Sequence, residues 1–334
     1  MDRTEEDMKS LGFFGIFHQS FKTIFSSKKI FTQITLAFIL PIAIFFAIHL
    51  EISHHFFRRI ENNSLPFAIN DNHSREPTAL TWLYYLLFQI AYFLVLTVFS
   101  VSAVVFTVAS IHTGRDVGFR SSIVKAIPKV WKRLFITFVC IYVTQVVYDV
   151  IINVVMAIFR ALLDVSNLFA IPLIIVVILY VLGFVYLSVV CQLASVVTVM
   201  ENINGFKAVK KGKDMIIGKK KVGMGIAFLF YLILAGLILV YFLFVEYGDE
   251  VFRWALIWRV LMGILCGILL LVLLLLFIVA QTVLYLVCKS YHREAIDKLS
   301  LSTFLGAYMA ETVVYPRSGE EIQLGTPQPP AHQV

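Results

Sequence analysis

VLMGILCGILLLVLLLLFIVAQTVLYLVC, residues 260–288, contains no Lys, Arg, Asp or Glu. Wound as an α-helix at about 1.5 Å per residue it would be about 43 Å long. The hydrocarbon core of a bilayer is roughly 30 Å thick. The stretch from Leu168 to Met200 is equally free of charge. Across the whole chain 60% of residues are hydrophobic and 15% charged, whereas a soluble domain carries about 25% charged residues. A soluble fold would have to bury several helices that are apolar all round, which is not feasible for 334 residues. The fold class that follows is an all-α integral membrane protein.

Working outward from these two stretches, six spans are expected at about 30–50, 80–111, 134–158, 168–200, 222–245 and 255–288. Residues 1–29 then form one tail, 30–288 the membrane domain and 289–334 a second tail. Pro327, Pro329 and Pro330 near its end, with few apolar neighbours, predict disorder from Gly319 on. The first apolar run has no A-x-A-like cleavage site and is long enough to span, so it is expected to remain as the first helix.

Orientation follows from the basic residues. Of the 28 Lys and Arg, 22 fall in the two tails and in the second and fourth connectors. That places both termini in the cytosol. Asn62 and Asn72 begin N-x-S sequons in the first connector, on the side the charge pattern puts outside, where they are candidate N-glycosylation sites. Together these features favour the endoplasmic reticulum or plasma membrane. The net charge of +7 sits between apolar blocks, which points to the bilayer and anionic lipid headgroups as partners rather than nucleic acid.

The segments preceding spans one, three and five share a pattern. Gly15, Gly118 and Gly205 each lead, with an aromatic beside them, into a basic pair about 13 residues on. Phe13, Phe17, Phe21 and Ile24 recur at helical spacing, as do Phe119, Ile123, Ile127 and Val130. Lys125, Lys129 and Lys132 fall on the opposite face of the second set. Such an amphipathic helix suits the membrane interface. The unit of interfacial helix plus helical hairpin, used three times, implies a pseudo-threefold bundle with a cavity on its axis. Lys125, Lys129, Lys132, Arg133, Lys210, Lys211, Lys219, Lys220 and Lys221 are the candidate anionic-lipid contacts.

Intramembrane polar residues are costly and therefore informative. Tyr142, Gln145, Asp149 and Asn153 lie at i, i+3, i+7 and i+11, one face of span three. Gln192 and Gln281 each stand eight residues before the end of their spans. These six are candidates to line a polar cavity; interhelical hydrogen bonding, or pairing of Asp149 with Arg160, is the structural alternative. The run from His49 to His55 lacks H-E-x-x-H spacing and reads as a polar collar. Lys210-Lys211-Gly212-Lys213-Asp214 lacks both the upstream Gly and the Ser or Thr of a phosphate loop. Cys140, Cys191, Cys266 and Cys288 lie in apolar segments without metal-ligand spacing. No nucleophile-elbow or paired-carboxylate motif is present, so no cofactor, metal or catalytic residue is expected.

Gly15-Ile16-Phe17, Ser20-Phe21-Lys22, Lys28-Lys29-Ile30-Phe31, Gln33-Ile34-Thr35-Leu36 and Pro41, with Val287-Cys288-Lys289-Ser290-Tyr291-His292 near the other end, carry a resemblance. From about Gly12 to Asp297 the chain resembles a plant family of six-span transmembrane proteins of unknown function. Its layout is distantly similar to the non-catalytic membrane domain attached to some bacterial glycerophosphodiester phosphodiesterases, so no active site is implied. For some members the resemblance implies a poly(A)-binding-protein partner, for which this sequence holds no peptide motif. The tail beyond Leu299 departs from the family pattern.

Two functions compete on these grounds. The basic interfacial segments and the lack of catalytic groups favour a non-enzymatic protein that organises an endomembrane or binds partners there. The repeat and the Asp149 stripe support a transporter or channel for a small solute or lipid. A membrane-embedded enzyme would need clustered His or carboxylates at one depth, which the sequence does not contain.

Overall fold

The computed structural model describes residues 10–49, 79–113, 124–165, 170–201, 203–248 and 255–292. For 79–90, 124–129, 163–165, 170 and 256 it describes the backbone alone. The sequons at Asn62 and Asn72, the start of the second basic segment and the proline-rich tail lie outside the described residues.

Among the described residues every element is helical. We label them α1 (Phe13–Ser26), α2 (Lys28–His49), α3 (Ala79–His112), α4 (Val124–Val165), α5 (Ala170–Met200), α6 (Gly205–Met215), α7 (Lys220–Glu246) and α8 (Leu256–Tyr291). Six of these, α2, α3, α4, α5, α7 and α8, are long and apolar enough to cross a membrane. The chain is an all-α, multi-pass membrane bundle.

Two of the spans contain π-helical turns, Thr35–Ile39 in α2 and Phe242–Glu246 at the end of α7. The first has a cause two residues on. Pro41 has no N–H to donate and its ring crowds the carbonyl four residues back, so the helix widens just before it.

The three basic segments fold differently. α1 and α6 are separate short helices. α1 stops at Ser27, whose φ of −128° and ψ of 45° are not helical. After α6 the chain turns at Gly218, whose φ of +93° is one that side-chain-bearing residues rarely adopt. The second segment has no such break: α4 runs 42 residues from Val124 straight through Arg133 into the span. Residues 119–182 contain no Gly to interrupt it, and Pro128, the fifth residue of the helix, forfeits only the bond to the Val124 carbonyl near the helix start.

Packing is one-sided. Nearly every residue is buried over 98–110 in α3, 188–200 in α5 and 278–288 in α8. These are the ends that carry the Lys-rich connectors, the basic end of the bundle. Small residues let the backbones approach there: Ser102, Ala103, Thr107 and Ala109 on α3, Ala194 and Thr198 on α5, Ala280 and Thr282 on α8 are all buried. α6 lies back along α5 with Gly205, Ala208, Gly212 and Met215 inward; a Cβ on Gly212 would stand 2.8 Å from the Val190 carbonyl oxygen. At the other end Val143, Val147, Ile151 and Val154 of α4, Ile171, Ile174 and Ile178 of α5, and Ile257, Val260 and Ile264 of α8 are exposed. The helices are knitted into one core in one half; in the other, α4 stays paired with α5 through Tyr148 and Tyr180 and α7 with α8 through Arg259 and the Val245 carbonyl, while the outward side chains suit lipid.

Candidate functional site

A cavity of about 680 Å³ sits where the knitted half gives way to the open one. α2, α3, α4, α5 and α8 all contribute to its wall, and α7 adds Tyr231. The wall is mostly apolar, with aromatic rings from Phe45, Phe93, Phe138 and Phe277.

Its polar groups fall into a small set. Ser188 and Tyr231 hydroxyls hydrogen-bond each other across α5 and α7. The Gln192 side-chain amide donates to Ser188 Oγ at 2.9 Å and to Tyr231 Oη at 3.4 Å. Ser188 and Gln192 are one helical turn apart on α5, so both meet Tyr231. Ser195 continues the row and donates to the Gln192 backbone oxygen at 2.7 Å. Gln281 reaches the cavity from α8 and Ser100 from α3. Both are buried, at 6% and 0% exposure. Ser102 and Thr107, on the same helix as Ser100, donate to carbonyls four residues back at 2.7 and 2.8 Å. Ser100 Oγ does not; it has no hydrogen-bond partner among the described residues.

Of the six residues the sequence nominates, Tyr142, Gln145, Gln192 and Gln281 line this cavity together. Asp149 and Asn153 do not. They continue the same stripe of α4, but Asp149 lies one turn, about 6 Å, beyond Gln145, toward the open end. Asp149 instead accepts a long hydrogen bond from the Gln145 amide at 3.5 Å. Exposed Asn153 donates to the Asp149 backbone oxygen at 2.8 Å. Asp149 and Arg160 form no ion pair among the described residues. His49, read from sequence as part of a polar collar, lines the cavity from the end of α2.

The sequence reading did not find Ser100, Ser188 or Tyr231. Ser and Tyr are ordinary in membrane spans, and only the divergence of the helices gives them a cavity to face.

The basic residues also separate. Lys132, Lys210, Lys220 and Lys221 are exposed. Lys211 pairs with Glu201 at 2.7 Å, and Lys219 donates to the Leu11 backbone oxygen at 3.2 Å. Arg133 is half-buried. Lys125 and Lys129 lie in the first turns of α4.

Glu201, just past α5, is a knot the sequence does not advertise. Its carboxylate also takes Tyr285 Oη at 2.8 Å and Lys289 Nζ at 3.2 Å, both from α8. Burial pushes its pKa up, but the hydrogen bonds from Lys211 and Tyr285 and the charge of Lys289 outweigh that and hold it below the usual carboxylate range.

A family model described as "Domain of unknown function (DUF8558)" matches residues 1–326. The chain belongs to the DUF8558 family. No curated protein and no solved structure matches it. Within this DUF8558 chain, then, the cavity has to be read from its own chemistry. Among the described residues no group of three or more His, Cys, Asp or Glu could hold a metal ion.

Proposed function

We propose that this protein takes up a lipid-sized amphiphile from the bilayer into the cavity, as a carrier or binding protein. The observation that carries the reading is a cavity of about 680 Å³ with apolar walls and a few converging polar groups. Small-molecule sites have this composition and volumes of roughly 300–1,000 Å³. The cavity borders the half of the bundle that lacks a common buried core and exposes apolar side chains on α4, α5 and α8, which supports entry from the lipid phase. The sequence alone favours a membrane organiser; the cavity moves the weight to binding.

The organising reading keeps one specific support. α1 turns Ile16, Ser20 and Thr23 toward the bundle and leaves Phe14, Phe21 and Phe25 exposed beside Lys22, Lys28 and Lys29. Exposed aromatics next to lysines suit an anionic headgroup layer. Both roles fit a protein whose basic end faces the cytosol in the endoplasmic reticulum or plasma membrane, as in the plant six-span family it resembles.

The test is mass spectrometry of the detergent-purified protein under native conditions. The natural sequence is expected to carry a bound lipid. Leu274→Trp, which puts an indole into the cavity, is expected to lose it without lowering the melting temperature. An equal lipid load on both proteins would remove the proposal.

A further inference from the structure

Resting on the binding reading above, the chemistry of the wall narrows the occupant. We infer that the cavity recognises an uncharged lipid alcohol, a hydroxyl on an apolar body such as a sterol or a diacylglycerol. The hydroxyl would be held by Gln281, Ser100 and the Ser188–Gln192–Tyr231 group.

Three observations carry this. First, among the described residues no Lys, Arg, Asp or Glu lines the cavity. His49, at the end of α2, is the one imidazole in the described wall; a phosphate held instead by Ser100 and Gln281 would be a buried charge with no cation among the groups that hold it, which is among the most unfavourable arrangements available to a protein. The acid nearest the cavity, Asp149, stands behind the Gln145 amide and would repel an anion further. A cationic head fares no better, because that same amide separates it from the carboxylate.

Second, the polar groups that are present are those a hydroxyl needs. A hydroxyl donates one hydrogen bond and accepts up to two. The Gln281 amide offers a donor and an acceptor on one planar group, and it makes no hydrogen bond to another described side chain. The Gln192 amide nitrogen is engaged by Ser188 and Tyr231, which fixes that side chain in place.

Third, Ser100 Oγ is fully buried and has no partner among the described residues. A buried hydroxyl without a partner is destabilising; Ser102 and Thr107 avoid that by bonding to their own helix, whereas Ser110, buried on the same helix away from the cavity, also lacks a partner among the described residues. A ligand hydroxyl would supply the missing partner. The aromatic rings around these groups suit a flat or acyl hydrophobic body.

The experiment uses the full chain in detergent micelles with three photoreactive lipids: a sterol, a diacylglycerol and a phosphatidic acid. Labelling by the sterol or the diacylglycerol is expected to exceed that by phosphatidic acid at least tenfold and to be competed by the unmodified alcohol. Which of the two labels identifies the lipid class. Gln281→Leu and Ser100→Ala are each expected to cut the labelling by about tenfold, the loss of one buried hydrogen bond. Ser100→Ala breaks no bond within the protein, so its melting temperature should not fall and a loss of labelling reports the ligand. Equal labelling by phosphatidic acid, or labelling indifferent to both substitutions, would overturn the inference while leaving lipid binding intact. No labelling above that of Leu274→Trp by any of the three would instead overturn the binding reading itself.

Discussion

At the scale of the residue, Glu201 is the group most worth changing. It ties the end of α5 to α6 through Lys211 and to α8 through Tyr285 and Lys289. Glu201→Ala removes the anion and leaves two lysines facing each other. A loss of about 2–4 kcal/mol is expected, read as a lower melting temperature in detergent at pH 7. The pH dependence has a definite sign. Because the folded-state pKa of Glu201 lies below its ordinary value, the knot contributes fully above about pH 4.3. That contribution fades as pH falls through the folded value. Thermal melts from pH 7 to pH 3 should show a component of acid sensitivity that Glu201→Gln removes; an unchanged profile would show that Glu201 is not held as described. Nothing in the sequence marks Glu201, since its partners lie 10, 84 and 88 positions away. Asp149 is the opposite case: conspicuous as an acid inside an apolar stretch, yet set one turn beyond the cavity wall. Gln145, Gln192 and Gln281 were readable because amides are rare among Leu, Ile and Val. Ser100, Ser188 and Tyr231 were not, because their importance depends on what stands opposite them.

At the scale of the element, what decides the architecture is how each span begins. Six apolar blocks, four of them free of charge and two with a single charged residue (Asp149, Arg259), are a property of local composition and can be read directly. Whether a basic segment folds as its own helix depends on single residues at the joint. Ser27 and Gly218 break two of the three, and the absence of any Gly lets α4 run on. That difference weakens a strict threefold unit, which the spacing of Gly and basic pairs had suggested. α6 is pinned by close approach to α5 at Gly212. Gly212→Leu would drive a side chain into the Val190 carbonyl, and a cost of about 2–3 kcal/mol or more is expected. The melting temperature should drop, and the short α6 should become accessible to protease. Lys213→Ala, an exposed position on the same helix, serves as the comparison and should change neither. If Gly212→Leu behaves like Lys213→Ala, α6 does not pack on α5 as found here.

At the scale of the whole molecule, the charge pattern makes a topological prediction. The proposed orientation, with the basic end in the cytosol, predicts that Lys213→Cys reacts with a membrane-impermeant maleimide only after the membrane is permeabilised. Labelling of intact cells would invert the arrangement. The one-sided packing has a different consequence, for how the protein endures manipulation. Amide protons near the knitted end should exchange with deuterium last. Those in the outer halves of α4, α5 and α8, each held there by one paired helix rather than by the whole core, owe more of their protection to the surrounding acyl chains. A short-chain detergent should therefore fray the molecule from that side first, like a brush whose bristles loosen while the ferrule holds. Solvents mild enough to keep those bristles aligned are the ones in which purification should succeed.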